Sequence, residues 1–177
     1  MSDYSRTTMD VMLGEDLVRK IRKLKCVLFD VDGVLTDGTI YRMSDGTECR
    51  RFSVIDGHGI SMLRECGMIV GVVSREDSPI IKGRMEKLNL DEIHIGVKDK
   101  SLVLNEIRER RRIPPGGLAF MGDDLPDLDA FDVCDLRISL SSGHQSVIDS
   151  ADIVVEKSGG RGAVRDLCEI IIRHISD

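Results

Sequence analysis

The feature of this chain that most constrains its fold is a series of short apolar runs separated by segments of helical periodicity. The predicted strand segments that contain these runs lie at 25–30, 68–73, 92–95, 118–121, 132–140 and 153–155. A strand buried on both faces has an unbroken apolar sequence, and strands that alternate with helices form a parallel sheet. We therefore predict an α/β fold with a doubly wound parallel sheet. A length of 177 residues suits one domain spanning 1–177.

Three further segments complete the predicted architecture. Apolar residues recur every three or four positions over 9–24, which predicts an N-terminal helix, and the polar residues 1–8 before it are expected to be disordered. The strand-like runs 39–42 and 51–54 flank Asp45-Gly46, which predicts a β-hairpin. The apolar residues from Ile60 to Cys66 then predict a helix that ends at Gly67. The hairpin follows the first strand directly, so we expect a flap over the strand ends and no large cap domain.

Composition excludes several classes of function. A net charge of -6 argues against nonspecific binding to nucleic acid, which requires a basic surface. No apolar run approaches the roughly 18 to 20 residues that span a bilayer, so we expect no membrane partner. The five cysteines are scattered and form no CxxC pair, which indicates free thiols in a reducing cytoplasm.

The residues that carry chemistry follow the predicted strands. Asp30 and Asp32 end the first apolar run and precede Gly33, and two carboxylates so close require a shared proton or a cation. Later strands end near Ser74, Lys100 and Asp123. Because the carboxyl ends of parallel strands meet at one edge of a sheet, these side chains can form one pocket.

Carboxylate oxygens are suitable ligands for Mg²⁺, and a hydroxyl and a lysine beside them are suitable for binding a phosphate. In such a site an aspartate attacks phosphorus and forms an aspartyl-phosphate. A second aspartate protonates the leaving oxygen and later accepts a proton from water, while the cation, the hydroxyl and the lysine neutralise charge. Lys98 is an alternative to Lys100 for the phosphate-binding lysine.

Four short segments resemble, in order, the motifs of the haloacid dehalogenase (HAD) superfamily of phosphatases. The segment 30–37 resembles the first motif, DxDGxxT/S. Ser74 matches the second motif, Lys100 the third, and the GDDLPD segment at 122–127 the fourth. The resemblance implies a HAD-like Rossmannoid fold.

Additional features resemble one family of sugar-acid phosphatases. They are the absence of a large cap, the hairpin, the segment Asp56-Gly57-His58-Gly59 and the glycine-rich segment 159–165. This family includes 3-deoxy-D-manno-octulosonate 8-phosphate (KDO 8-phosphate) phosphatases and the 9-phosphate phosphatases of nine-carbon keto acids. The same module forms the C-terminal domain of some CMP-sialic acid synthetases. The resemblance covers nearly everything from 25 to 171.

The resemblance also implies roles for individual residues. Asp30 is the nucleophile and a Mg²⁺ ligand, Asp32 is the acid/base and a ligand through its backbone carbonyl, and Asp123 is the third protein ligand. Ser74 and Lys100 complete the catalytic set. The residues implied to bind substrate are Gly33, Asp56, Glu76, Arg84, Lys87 and Arg161. The family further implies a homotetramer whose hairpins and C-terminal segments complete neighbouring sites.

Two substrate classes fit these residues. The octulosonate enzymes resemble one another in having arginines where this chain has Ile55, Ser61 and Glu76. Glu76, with Arg84 and Lys87, is more similar to the nine-carbon branch. We therefore predict a Mg²⁺-dependent phosphatase for a small phosphorylated keto-sugar acid, either KDO 8-phosphate or a nonulosonate 9-phosphate. The alternatives are a non-catalytic oligomerisation module and a phosphatase for another small metabolite.

Other residues have a structural interpretation beside the functional one. His58 is typical of a structural or flap residue. Asp124 and Asp127 are placed to cap a helix, a role compatible with metal binding by Asp123. The segment around Arg161 is either a flexible turn or places that arginine in a neighbour's site.

Overall fold

The computed structural model describes residues 13–175. The predicted disorder of 1–8, and the first residues of the predicted N-terminal helix, lie outside the described residues. The strands are β1 (Cys26–Phe29), β2 (Tyr41–Arg42), β3 (Glu48–Cys49), β4 (Ile69–Val73), β5 (Glu92–His94), β6 (Leu118–Met121), β7 (Leu136–Leu140) and β8 (Ile153–Val155). The α-helices are α1 (Glu15–Lys23), α2 (Val54–Glu65), α3 (Pro79–Lys87), α4 (Lys100–Arg111), α5 (Leu128–Phe131), α6 (Gln145–Ser150) and α7 (Ala163–Ile175).

Six strands form one sheet in the order β5-β4-β1-β6-β7-β8, and every neighbouring pair in it is parallel. The chain runs outward from β1 to β4 and β5, then crosses to β6 and continues outward to β7 and β8. The predicted doubly wound α/β fold is therefore confirmed. The winding direction reverses between β1 and β6, and open sheets of this kind bind ligands beyond the carboxyl ends of the strands at that point.

Alternating side chains of the strands pack into two separate cores. Val27 and Phe29 of β1 face a core closed by α1, α2, α3 and α7. Cys26 and Leu28 face the opposite core, which α4, α5 and α6 cover. All four side chains are fully buried. Two covered faces explain why β1 has an unbroken apolar sequence, and they make it a rigid support for the residues that follow.

The hairpin is shorter than the sequence suggests. β2 and β3 are antiparallel, with Gly46 at a positive φ of 85° in the turn between them. The prediction of a strand over 51–54 is wrong, because Phe52 forms only an isolated bridge with Thr36. The Ser53 side chain accepts a hydrogen bond from the Asp56 N–H and caps α2, so the helix begins before the predicted position near residue 60.

Between β1 and α2, the described chain contains this hairpin and no inserted cap domain. The hairpin contacts the loop after β1 through Arg50 and Asp32, and so forms a short flap beside the carboxyl edge of the sheet. Among the helices of residues 13–175, none combines the length and apolar character required to cross a membrane.

Candidate active site

The loop after β1 is held in shape by one threonine. The buried Thr36 hydroxyl accepts hydrogen bonds from the N–H groups of Gly33 and Gly38, both at 3.2 Å. It also donates to Asp32 Oδ1 at 3.5 Å. Gly33 has a φ of 90°, and a Cβ there would lie 1.9 Å from Asp123 Oδ2. A side chain is thus excluded at this position by backbone conformation and by space.

Three carboxylates converge where the sheet reverses direction. Asp30 follows β1, Asp123 follows the adjacent β6, and one oxygen from each of Asp30, Asp123 and Asp127 lies within 4.8 Å of the others. Asp127 Oδ2 accepts hydrogen bonds from the N–H groups of Asp123 and Asp124, at 2.8 and 3.1 Å. Asp124 and Asp127 form the capping box of a 3₁₀ turn, so the predicted capping role is also present.

A buried lysine joins this cluster. Lys100 is the first residue of α4, and its Nζ lies 2.7 Å from Asp30 Oδ1 and 2.5 Å from Asp127 Oδ1. Burial opposes its charge, but the carboxylates of Asp30 and Asp127 raise the pKa of Lys100 above its usual value. The alternative residue, Lys98, is exposed. The structure therefore places Lys100, rather than Lys98, in the cluster.

The three carboxylates outnumber the single ammonium group. Burial raises the pKa of Asp30 to about 7, and the nearby Asp127 carboxylate adds to the effect. Burial and the charges of Asp30 and Asp127 raise the pKa of Asp123 to about 8. Asp123 Oδ1 is buried and has no hydrogen-bond partner. This oxygen-only donor set fits a hard divalent cation, which would favour the ionised form of both aspartates.

The cluster lies in an open cavity of about 350 Å³. The buried Ser74 follows β4, lines this cavity, and accepts a hydrogen bond from the Glu76 N–H at 3.2 Å. The cavity brings together seven of the residues predicted from the sequence, which are Asp30, Asp32, Gly33, Ser74, Glu76, Lys100 and Asp123. Asp127, Asp124, Arg75, Gly38 and Pro126 complete its lining.

Asp56 lies away from this cavity. It is 1% exposed, and its carboxylate accepts hydrogen bonds from the N–H groups of Gly162 and Arg165, at 3.2 and 2.9 Å. These groups belong to the beginning of α7, where a carboxylate is favoured by the unpaired N–H groups and by the helix dipole. Both carboxylate oxygens of Asp56 thus cap a helix in this chain, and its predicted contact with substrate stays a prediction.

Three other predicted substrate residues also lie outside the cavity lining. Arg84 is partly buried, with Nη2 3.5 Å from the Ser53 carbonyl oxygen and the guanidinium 6.0 Å from the Phe52 ring centroid. Lys87 is exposed in the last turn of α3, and Arg161 is exposed before α7. A single chain therefore does not bring these three cations to the acidic cluster.

The glycines before Arg161 have a definite packing role. A Cβ on Gly159 would lie 1.7 Å from the Gly33 carbonyl oxygen, and one on Gly160 would lie 2.8 Å from the Thr36 carbonyl carbon. The segment thus packs directly against the loop that carries Asp32. Such close backbone contact requires glycine at these positions, whereas a simple flexible turn would tolerate other residues.

Sequence reasoning missed one residue of the site, Arg50, and did not predict the contact of Asp127 with Lys100. Asp127 belongs to the fourth motif, but the expected ligand set contained only Asp30, Asp32 and Asp123. Arg50 follows β3, its side chain is fully buried, and its Nε donates to Asp32 Oδ1 at 3.1 Å. The sequence does not distinguish Arg50 from the adjacent Arg51, because the burial of Arg50 depends on the course of the hairpin.

The strand order, the aspartate loop after β1 and the lysine and aspartates after later strands define a protein of the HAD superfamily. No protein-family model matches the chain. The 3-deoxy-D-manno-octulosonate 8-phosphate phosphatase KdsC of Escherichia coli (strain K12) is 31% identical over 160 residues, which cover 90% of this chain and 85% of that protein. The chain therefore belongs to the 3-deoxy-D-manno-octulosonate 8-phosphate phosphatase family.

Solved structures agree with this assignment. The phosphatase of the same name from Moraxella catarrhalis, in complex with a magnesium ion, a phosphate ion and a KDO molecule, has a TM-score of 0.89 and 33% identity. The match covers 93% of this chain and 94% of that one. A cobalt-bound relative from Haemophilus influenzae has a TM-score of 0.85 and 32% identity, with 89% and 92% of the two chains covered.

Proposed function

We propose that this protein is a Mg²⁺-dependent phosphatase that hydrolyses the phosphomonoester of an acidic keto sugar. The observation that carries the proposal is the cluster of Asp30, Asp123 and Asp127 around the buried Lys100, at the point where the sheet reverses direction. Membership in a family of sugar-acid phosphatases supports the substrate class. A purely structural module would have no physical need for this buried, charged cluster.

The metal would be held by the carboxylates of Asp30 and Asp123, with the backbone carbonyl of Asp32 as implied by the resemblance. When bound, Mg²⁺ supplies positive charge that stabilises the transferring phosphoryl group. Asp127 lies in the same cluster, where it holds the N–H groups of Asp123 and Asp124 and the ammonium of Lys100. Asp127 therefore fixes both the loop and the lysine.

The reaction follows from the positions of two aspartates. Asp30 attacks phosphorus and forms an aspartyl-phosphate, while Asp32 gives its proton to the leaving sugar oxygen. Water then attacks the phosphorus, Asp32 takes a proton from that water, and Asp30 is released with inorganic phosphate. Ser74 and Lys100 bind the phosphoryl oxygens and oppose their charge. Lys100 also holds Asp30 Oδ1 and so orients the nucleophile.

A phosphate-release screen tests this proposal. Purified protein is assayed with Mg²⁺ against KDO 8-phosphate, nine-carbon keto-acid 9-phosphates and simple sugar phosphates. We expect the highest kcat/KM with a keto-sugar acid and a loss of turnover in EDTA. Selective turnover of a simple sugar phosphate would favour a phosphatase for another metabolite. Absence of turnover on every ester would favour the non-catalytic oligomerisation module.

A nine-carbon substrate is the second candidate within the same class. Glu76 lines the cavity, and its carboxylate is half exposed there, at the position where octulosonate enzymes resemble one another in having an arginine. A carboxylate at this position repels the acid group of a short substrate but can accept hydrogen bonds from hydroxyls of a longer one. The screen distinguishes the two candidates by the ratio of their kcat/KM values.

We also propose a homotetramer in which the hairpins contact neighbouring subunits. Three large apolar side chains near β2 support this proposal, because Ile40, Tyr41 and Met43 are 49%, 52% and 51% exposed. Arg161 lies outside the cavity of its own chain, in keeping with the implied completion of sites by a neighbour. Light scattering coupled to size-exclusion chromatography tests the assembly, and Tyr41→Asp is expected to yield smaller species.

A cytoplasmic location completes the proposal. All five cysteines are free, and three of them, Cys49, Cys66 and Cys134, are at least partly exposed. Free exposed thiols are typical of proteins in a reducing compartment. Fractionation of cells that produce the protein tests the location.

A further inference from the structure

Arg50 connects three segments of the site. Its Nε donates to Asp32 Oδ1 at 3.1 Å, and its Nη1 donates to the buried Ser78 Oγ at 3.0 Å. Its Nη2 lies 3.3 Å from Glu76 Oε1, and Nη1 lies 3.7 Å from Glu48 Oε2. The arginine thus joins the hairpin to the loop after β1 and to the loop after β4.

The burial of this guanidinium is costly unless its charge is paired. The side chain is fully buried, and Nη2 has no hydrogen bond that meets ordinary geometry. The planar guanidinium can contact Asp32, Ser78 and Glu76 at the same time, and the ammonium of a lysine at this position could not. The contacts therefore indicate a residue selected for its geometry rather than for its charge alone.

We propose that Arg50 is a positioning residue, which orients the acid/base Asp32 and connects it to Glu76 in the substrate cavity. This inference rests on the proposed phosphatase function. Arg50 holds Oδ1 of Asp32, so Oδ2 is the oxygen left to exchange protons with the leaving group and with water. Asp32 is one-third exposed, and without Arg50 its Oδ1 would retain only the longer contact with the Thr36 hydroxyl, at 3.5 Å, so other rotamers would become available.

The chemistry of the leaving group gives a test that separates positioning from a structural role. An alkyl phosphate needs its leaving oxygen protonated by Asp32, whereas p-nitrophenolate leaves without a proton. Arg50→Met is expected to lower kcat for alkyl phosphates by about 100-fold with KM changed less than about threefold. The rate of p-nitrophenolate release in the first turnover is expected to change less than about threefold.

A matched control is available on the same hairpin. Arg42 lies opposite Glu48 in the β2–β3 pair and, like Arg50, approaches its carboxylate, but it is three-quarters exposed. Arg42→Met therefore removes the same charge near the same glutamate, and is expected to retain the wild-type ratio of alkyl to aryl rates. Arg50→Lys is expected to lose about tenfold in kcat on alkyl phosphates, because one ammonium replaces two directed hydrogen bonds, to Asp32 and to Ser78.

Three results would overturn the inference. The first is an unchanged kcat of Arg50→Met on alkyl phosphates. The second is a loss in Arg50→Met that is the same for alkyl and aryl esters. The third is a change in the ratio of alkyl to aryl rates in Arg42→Met as large as the change in Arg50→Met. If Arg50→Met does not fold, Arg50→Lys is measured on the same ester pair, and unchanged alkyl turnover overturns the inference. A wild-type protein that cleaves neither ester refutes the proposed function itself, whereas cleavage of both with equal losses in Arg50→Met refutes only the role of Arg50.

Discussion

The buried aspartates of the site and the buried Glu92 at the edge of the sheet have opposite environments. Asp30, Asp123 and Asp127 crowd around one lysine, and burial raises the pKa values of Asp30 and Asp123 to about 7 and 8. Glu92 of β5 is 4% exposed, and burial alone would raise its pKa as well. Hydrogen bonds from Arg110, His94 and Arg111 instead lower the pKa of Glu92 to about 2.

The difference shows how the fold separates stability from function. Glu92 receives two hydrogen bonds from Arg110, at 2.9 and 2.7 Å, and one from Arg111 at 2.6 Å, so its charge fixes the end of α4 to the sheet edge. Asp123 Oδ1 has no such partner. Unsatisfied buried charge destabilises a protein, and it is retained where a ligand or a reaction requires it.

The largest effect is expected at Asp30, the proposed nucleophile. Asp30→Asn removes the attacking oxygen, so turnover of any phosphate ester should fall by at least about 10⁴-fold. Lys100 retains Asp127 as a partner, so the thermal unfolding midpoint should remain within a few degrees of wild type. Phosphate release and circular dichroism measure the two quantities. Undiminished turnover would refute the nucleophile assignment.

Two glycines with similar backbone conformation sharpen the comparison. Gly33 and Gly46 have φ values of 90° and 85°, but a Cβ on Gly33 would lie 1.9 Å from Asp123 Oδ2, whereas a Cβ on Gly46 would meet nothing within 4 Å. Gly33→Ala is expected to lose at least about 100-fold in kcat/KM, because Asp123 must move. Gly46→Ala is expected to cost only about 1 kcal/mol of unfolding free energy.

Chemical unfolding and steady-state assays of both variants test this expectation. A similar loss of activity in the two variants would show that conformational strain, and not displacement of Asp123, causes the effect of Gly33→Ala.

Glu92 predicts a pH dependence of stability. Its folded-state pKa of about 2 lies below the ordinary value of 4.5, so the folded state favours the charged form. The stabilisation is complete above about pH 5 and is lost as the pH falls through 4.5 toward 2. Glu92→Gln should therefore lower the unfolding free energy by about 2 kcal/mol at pH 7, and this difference should shrink toward zero near pH 2.

Denaturant unfolding of wild type and variant between pH 2 and 7 measures the difference. The exposed Glu109, on the same helix as Arg110, supplies the control Glu109→Gln, whose effect should be small at every pH. A pH-independent difference for Glu92→Gln would contradict the assigned ion pairs.

The sequence predicted the sheet and the acidic site for the same physical reason. Strands buried on both faces have unbroken apolar sequences, and polar residues that follow them must meet at one edge of the sheet. Asp30, Ser74, Lys100 and Asp123 could thus be assigned to one cavity from their positions after the strands and from the four motifs. The structure brings these four residues together.

The remaining features depended on contacts between distant segments. Asp56 was expected to bind substrate, but its hydrogen bonds go to the beginning of α7, more than 100 positions away. Arg50 was missed because its burial depends on the hairpin path, and the predicted strand over 51–54 was wrong because Ser53 caps α2. Helix caps and buried ion pairs are tertiary features that periodicity does not encode.

The central claim is that the cluster at the sheet reversal is unfavourable by itself and is completed by a cation. Unfolding free energies of wild type and Asp123→Asn, each measured in EDTA and in millimolar Mg²⁺, test it most directly. We predict that Asp123→Asn is more stable than wild type by about 1 kcal/mol in EDTA, because an amide avoids the cost of burying or protonating this carboxylate. We also predict that Mg²⁺ stabilises wild type by about 1 kcal/mol or more and the variant by much less. A variant less stable than wild type in EDTA, with an undiminished response to Mg²⁺, would contradict the account.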